Sequence, residues 1–437
     1  MHLELGIGVF VVMLLLIVLR MPIAVSMFVT GAFGFAYLTS WDALINHMKD
    51  APVSRAASYS LSVIPLFVLM GLFASNGGLS QAVYRSARAW LGHYRGGLAV
   101  ATIGGCAGFG AICGSSIATG ATMATVALPE MRRYGYSGAL STGSLAAGGT
   151  LGILIPPSVI LVIVGLITEQ SIGHLFLAAL IPGVIAALGY VLAIVVYVRI
   201  RPEAGPAAIA ESWEVRLSSL NTIWPVVAIF LLVIGGIYLG VFTPTEGAAV
   251  GALATGVFAL CVGGLGLSEI KQSLLEMART TGMIFIILIA AEIYSSFLAL
   301  SQVPQALAEW ITGLGFGPYS ILLIIVLVYL VLGCVMDGIG MILLTVPVFY
   351  PIVMGLDFGL PPDAQGAWFG ILMLIVVEVG LITPPIGLNV FVINSMARDV
   401  PLMQSFRGIV PFFMSDMVRI GIVILVPATC TWLPGLQ

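Results

Sequence analysis

The sequence predicts an all-α polytopic membrane protein built around an internal, inverted repeat. Three observations carry that prediction. Of the 437 residues, 60% are hydrophobic and only 8% charged, whereas a soluble domain carries about a quarter charged residues. Apolar segments of roughly 17 to 25 residues, each long enough to cross a bilayer as a helix, recur from end to end. Two double prolines, Pro156-Pro157 and Pro384-Pro385, interrupt apolar runs at matching places in the two halves.

Leu5–Leu19 lacks a basic start and runs on through Arg20-Met21-Pro22 into a second apolar segment, so it reads as a first span rather than a cleaved signal peptide. Positions 40–60 carry both signs (Asp42, Lys49, Asp50, Arg55) and fix no orientation. The stretch SQAVYRSARAWLGHYRG, with Arg85, Arg88 and Arg95, is amphipathic, as is 268–279 between Lys271 and Arg279. Both read as interfacial helices on the cytoplasmic surface. Cytoplasmic loops are rich in Lys and Arg, which also places Arg20, Arg132-Arg133, the long polar loop 199–221, Arg398 and Arg407 inside. The intervening connections hold acids without bases: Glu169, Glu246, Glu309, Asp357 and Asp363. Alternating these loops gives about eleven or twelve crossings with the N-terminus outside. Apolar runs such as 222–240 and 318–335 are typical of them.

The loop 199–221 divides two similar halves. GILIPPSVILVIV (152–164) matches GLITPPIGLNVFV (380–392), GATMATVALP (120–129) matches GIGMILLTVP (338–347), and Ile181-Pro182 matches Val410-Pro411. Corresponding points lead to loops of opposite charge character. Pro129 runs into Arg132-Arg133 and Pro347 towards Asp357, so the repeat is inverted, an architecture of secondary transporters.

Proline has no N–H and clashes with the preceding helical turn. Backbone freed in this way cannot face lipid, where an unpaired polar group costs several kcal/mol. A lone proline in a membrane helix is ordinarily a kink. A symmetric pair, each with glycines and small polar residues beside it, points to a broken-helix site whose carbonyls and hydroxyls hold a hard cation and whose helix N-termini attract a carboxylate. The nearby residues are Ser115, Ser116, Thr119, Gly148, Gly149, Thr150 and Ser158 in the first half. In the second they are Asp337, Gly338, Gly340, Gly380, Thr383, Gly387 and Asn389.

The paired motifs GxxxPPS and GLITPPIGLN, preceded by GSSIATGATM and MDGIGM, resemble the large membrane subunit of the TRAP (tripartite ATP-independent periplasmic) transporters over nearly the whole chain. The resemblance implies an elevator-type, sodium-driven importer of organic acids (dicarboxylates, sialic acids or sugar acids), with two re-entrant hairpins whose tips hold sodium and face the substrate. It implies a small four-helix membrane subunit and a periplasmic substrate-binding protein as partners, neither fused to this sequence, and a bacterial or archaeal inner-membrane location. Carried over by position, it suggests sodium ligands at Ser115, Ser116, Gly152, Ile155 and Pro157. A second sodium set follows at Gly338, Gly380, Thr383 and Pro385. Thr119, Gly149, Thr150, Ser158, Asp337, Gly387 and Asn389 become substrate or hairpin-tip residues. The implied organisation is scaffold helices and an arm over 1–95, a first transport element over 96–198 and a linker over 199–221. Scaffold with a second arm follows over 222–280, then a second transport element over 281–437.

Charged residues within apolar segments are expensive and are functional candidates by default. Asp337 adjoins the second break, and Glu378 either shapes the second hairpin or pairs structurally. Asp416 and Arg419, three apart on a helix, suit a mutual ion pair, and Glu292 could face a partner helix. His2, His47, His93 and His174 fall at expected loops or helix ends with no metal-binding spacing, and the five cysteines read as small buried hydrophobes. No phosphate loop occurs, so an ion gradient and not ATP drives transport. No organic cofactor is implied, and the scattered 16 basic residues argue against a nucleic-acid partner. The alternatives are a channel, for which no filter-like run or same-sign ring is visible, and a membrane-embedded enzyme using Asp337 and Glu378.

Overall fold

The computed structural model describes residues 2–313 and 315–436, without the side chains of a few of them, those of His2, Asp50 and Arg55 included. Every regular element among the described residues is helical. The first half opens with α1 (His2–Val18), α2 (Ile23–Leu38), α3 (Trp41–Ala56) and α4 (Val63–Asn76). The amphipathic α5 (Leu79–Leu91) follows, then α6 (Gly97–Cys113), α7 (Ser116–Arg133), α8 (Gly138–Leu154), α9 (Val159–Thr168) and the 29-residue α10 (Ile172–Ile200). In the second half α11 (Trp213–Phe230) passes through one π turn into α12 (Gly236–Tyr238), and α13 (Pro244–Cys261), α14 (Leu267–Ser301) and α15 (Val303–Gly313) come next. Then α16 (Pro318–Gly333), α17 (Gly338–Met354), α18 (Pro362–Ile382), α19 (Leu388–Met396), α20 (Leu402–Leu425) and α21 (Ala428–Thr431) complete the chain.

Seven helices are long and apolar enough to span a membrane unaided, and the bent pair α8–α9 is an eighth. The shorter apolar α1 and α2 bring the crossings among the described residues to ten, at the low side of the number expected. What remains apolar (α6, α16 and α17) belongs to two hairpins. Helix starts are written locally. Ser115, Ser137, Ser158, Ser171, Ser212 and Asp337 each cap a helix by accepting from a backbone N–H with the side chain. Thr243 and Glu246 form a full capping box on α13, with Pro244 as its first residue.

The halves correspond element by element. In each, an amphipathic helix leads into a hairpin (α6–α7, α16–α17), a buried helix (α8, α18), a break, a short helix (α9, α19) and a long helix with a proline inside it (α10 with Pro182, α20 with Pro411). The hairpins fold back on themselves. The thioether of Met123 covers Gly105, where an added Cβ would lie 3.1 Å from the sulfur. Thr345 Oγ1 donates to the Tyr329 hydroxyl at 2.6 Å. Each pair sits at nearly equal sequence distance from its tip, as antiparallel arms require. The inner helices α8 and α18 are buried all round, the condition under which a helix is apolar on every face. Outside them, α2 runs along α14 and α4 along α13.

Several expectations change. The stretch 268–279 is no separate interfacial helix. It is the start of α14, whose 35 residues extend about 52 Å at 1.5 Å each, well beyond the roughly 30 Å hydrocarbon layer. No proline interrupts it and Thr280–Gly282 stay helical, so the boundary at 280/281 falls inside one rod. By order, the counterpart of α5 is α15, with Val303 and Pro304 buried and Gln305 and Trp310 exposed. The linker is narrower than 199–221, because Ser212 caps α11 and draws Trp213–Asn221 into helix. His47 lies within α3 and stacks on Phe35 at 5.4 Å between ring centroids. Cys106, Cys113 and Cys430 are buried as expected, but Cys334 is half-buried and Cys261 exposed at the end of α13.

Candidate functional site

Each double proline starts a break, and in each the Pro-Pro peptide bond is cis. The first spans residues 155–158 and bends α9 by 44° from α8; the second spans 383–387. The double prolines do not form the hairpin turns. The turns are at 114–115 and 334–337. A helix would give the carbonyl of Gly152 the N–H of residue 156, and that of Gly380 the N–H of residue 384. Proline supplies neither. In the second break Thr383 N–H donates to the Gly380 carbonyl instead, at 3.1 Å.

The hairpin tips lie directly on the breaks, and glycine makes the approach possible. A Cβ on Gly110 would stand 2.6 Å from the Cα of Gly152, and one on Gly380 would stand 2.5 Å from the Cα of Gly333. Gly152 and Gly380 both sit four residues before their first proline. Gly110 sits four residues before the first turn and Gly333 directly before the second. At the first tip Gly114 takes φ +66° and meets the Pro157 carbonyl, 3.0 Å from the position its Cβ would occupy. On the other side of Gly152 a Cβ would lie 2.3 Å from Thr119 Oγ1 and 2.8 Å from the Ser115 carbonyl. Thr119 is fully buried, and its hydroxyl makes no hydrogen bond to nitrogen or oxygen; the Cys113 thiol stands beside it.

Of the first expected cation set, Ser115, Gly152 and Pro157 converge, with Thr119 and Ser158 at the same junction, while the Ser116 hydroxyl accepts from Asn389. Gly149 packs on the Ser116 carbonyl. Ile155 caps α8, and its side chain covers Gly183 of α10. Thr150 departs from expectation. Its hydroxyl bonds to the Ala147 carbonyl at 2.7 Å and to the Tyr190 hydroxyl at 3.1 Å, so it faces α10 and not the hairpin tip. One residue past Gly149, about 100° round the helix, is enough to turn a side chain off the site's face.

In the second half Asp337 accepts from Gly340 N at 3.1 Å, capping α17. Thr383 Oγ1 donates to the Val379 carbonyl at 2.6 Å, and Gly387, at φ +59°, comes back over the Thr383 carbonyl. The two breaks differ in exposure. Pro156 and Pro157 are buried, whereas Pro384 and Pro385 are exposed. A Cβ on Gly338 would first meet apolar atoms of Val377, Ile160 and Leu381.

The halves meet through a pair of related contacts. Asn389, just past the second break, donates to Ser116 Oγ at the start of α7. At the like place in the helices of the other half, Ile160, just past the first break, lies against Gly338 at the start of α17, although in the register of the repeat Asn389 matches Leu161 and Gly338 matches Gly120. One contact is polar, the other apolar. Beside the polar one Ser116, Ile117, Gly120, Ala146, Asn389 and Ile393 line a narrow cleft that is closed to a water-sized molecule. Asn389 is 3% exposed and its Oδ1 has no partner. The composition and spacing of the sequence carry no signal for this pairing.

Asp337 and Glu378 hold separate partners, the first a backbone amide and the second Arg419 at 3.6 Å. The expected Asp416–Arg419 ion pair is present at 2.9 Å. Among the described residues no group of three or more His, Cys, Asp or Glu could hold a metal ion. A cation at the breaks would therefore rest on carbonyl and hydroxyl oxygens.

Comparison with known proteins agrees with this architecture. The family model described as "Tripartite ATP-independent periplasmic transporter, DctM component" matches residues 10–429. The chain is 39% identical over 379 residues, 86% of each chain, to the C4-dicarboxylate TRAP transporter large permease protein DctM of Pseudomonas aeruginosa. It is 31% identical over 448 aligned positions to the protein of the same description from Vibrio cholerae, covering 98% of this chain and 97% of that one. In fold it is similar to the Alcanivorax borkumensis YdaH transporter, with a TM-score of 0.65 over 90% of both chains at 14% identity.

Proposed function

This chain belongs to the DctM component family of the tripartite ATP-independent periplasmic transporters, a family of permeases and not enzymes, and from that premise we propose that it imports organic acids on a sodium gradient. The observation that carries the reading is the twofold arrangement in which a hairpin tip rests on a Pro-Pro break through a glycine-on-glycine contact. Carbonyls deprived of helical donors, with the hydroxyls of Ser115, Thr119 and Thr383 nearby, are hard oxygen ligands of the kind Na⁺ takes. We assign the first sodium to Ser115, Ser116, Gly152, Ile155 and Pro157. The second falls to Gly338, Gly380, Thr383 and Pro385, with Asp337 beside it.

The solute binds at the cleft where the halves meet, which must widen to admit it. Ser116 and Asn389 offer a hydroxyl and an amide there, and the N-termini of α7 and α19 add partial positive charge for a carboxylate. The apolar Ile160–Gly338 contact leaves the related position without polar groups, so one solute binds and not two. The C4-dicarboxylate description of the relatives makes a four-carbon diacid the first solute to try. α5 and α15 connect the outer helices to the hairpins at equivalent points, as arms of a unit that slides across the membrane would. A small membrane subunit completes the outer layer, and a binding protein outside the inner membrane delivers the solute.

The test is uptake of radiolabelled succinate into proteoliposomes holding this chain and its small subunit, with the cognate binding protein outside. An inward sodium gradient should drive accumulation and its collapse should stop it. Equal uptake from sodium-free medium under a proton gradient would overturn the sodium reading. Sialic acid or a sugar acid transported in place of succinate would correct the solute alone.

A further inference from the structure

Behind the two breaks runs a buried polar network that the transport reading leaves unused. Thr150 of α8, Tyr190 of α10, Asp416 and Arg419 of α20 and Glu378 of α18 are each at most 2% exposed. Tyr190 donates to Asp416 Oδ2 at 2.9 Å and exchanges a hydrogen bond with Thr150 at 3.1 Å. Arg419 Nη2 stands 2.9 Å from Asp416 Oδ1 and 3.6 Å from Glu378 Oε2.

The network follows the repeat. Thr150 and Glu378 stand two residues before Gly152 and Gly380, and Tyr190 and Arg419 stand eight residues after Pro182 and Pro411. Each half thus supplies one pair at the same place, Thr150 with Tyr190 and Glu378 with Arg419. Asp416 has no polar counterpart, since Ala187 takes its place in α10, and it bridges the two pairs.

Two residues are about 200° round a helix, so the network grips α8 and α18 on the faces opposite Gly152 and Gly380. α20 carries both helices besides. A Cβ on Gly143 of α8 would run into the Gly408 carbonyl, and Trp368 of α18 donates to the Val423 carbonyl at 2.8 Å. A shift of either helix at its break must then part a link of the network or take the other helix with it. Away from water a parted link leaves polar groups unpaired, so the helices move together. We infer that Tyr190 and Thr150 are positioning residues that couple the two cation sites. A sodium ion that fixes α8 at the first break fixes α18 at the second through them, and the second ion binds with less ordering left to do. The inference rests on the sodium reading above and adds the route by which one site senses the other.

The experiment is equilibrium binding of radioactive sodium to the full chain with its small subunit in detergent, without solute. Independent sites, alike or unlike, give a Hill coefficient of about 1 or less, whereas two coupled sites give a value between about 1 and 2. Wild type should exceed 1. Thr150→Val keeps the shape of the side chain without its hydroxyl, and Tyr190→Phe removes both phenol bonds. Each should bring the coefficient to 1 or below while the total sodium bound stays the same. Thr150→Ser keeps the hydroxyl and should keep the wild-type coefficient. Tyr136→Phe loses a buried hydrogen bond away from this network (Tyr136 accepts from Leu98 N), so it controls for lost stability and should also keep it. A wild-type coefficient of 1 or less, a coefficient unchanged in Thr150→Val, or an equal fall in Tyr136→Phe overturns the inference and leaves the sodium reading standing. No bound sodium at all overturns both.

Discussion

Replacing Gly380 by alanine should part the second hairpin from its break. The new Cβ would lie 2.5 Å from Gly333 Cα, 2.6 Å from its carbonyl carbon and 2.9 Å from its oxygen. Carbon contacts settle at roughly 3.5–4.0 Å, so the hairpin must retreat by on the order of 1 Å. The obstructing atoms are backbone and cannot rotate aside, which places the cost towards the upper part of the about 1–3 kcal/mol typical of overpacking. If sodium binds only with tip and break in contact, that penalty raises the half-saturating sodium concentration about 5- to 150-fold. Gly421→Ala on α20 is the control, since a Cβ there meets nothing within 4 Å. Uptake by the two variants in proteoliposomes, as a function of sodium, reads the difference. A Gly380→Ala protein with wild-type sodium dependence and wild-type Tm would refute the idea that this close approach positions the site.

Three further outcomes are expected. Asn389→Ala removes the side chain that spans the halves at the cleft; solute KM should rise roughly tenfold or more, on the scale of about 1–3 kcal/mol for a lost buried partner, with little change in sodium dependence. Arg88 lies 2.9 Å from both Glu130 and Glu211 with about a quarter of its side chain exposed, so Arg88→Ala should cost about 1 kcal/mol or less in thermal stability, and the deficit should shrink in high salt. Tyr136 accepts from Leu98 N at 3.0 Å, and Tyr136→Phe strands that amide, at about 1–3 kcal/mol. Burial pushes the Tyr136 phenol up to about 12. Its stabilisation is therefore whole below pH about 10, the ordinary phenol value, and fades as pH rises towards the folded value, a window that a Tm series in wild type against Tyr136→Phe would reveal.

The residues most legible in advance were those whose signal is local. Pro156-Pro157 and Pro384-Pro385 cannot continue a helix in any context, so both breaks were readable from four letters. Ser115 and Asp337 were legible as polar residues beside the breaks, whereas their capping of α7 and α17 came from the structure. The Asp416–Arg419 pair followed from three-residue spacing. Gly152 and Gly380 were visible as glycines fixed four before a proline, but their partners Gly110 and Gly333 were not. A close approach is a property of two surfaces, and composition this rich in glycine hides it.

By itself, then, the sequence determined the solvent, the inverted duplication, the places where helices stop, and through its motifs the family. Those depend on hydropathy, charge alternation and proline chemistry, which act over a few residues. Tertiary structure alone decided that the hairpin turns are elsewhere than the prolines, that α14 is one rod and that α15 takes the arm's place. It alone turned Thr150 towards Tyr190 and set Asn389 on Ser116, 273 residues away. Pairings of that kind depend on how buried helices rotate to match their packing and their polar groups together, and no local pattern records the rotation.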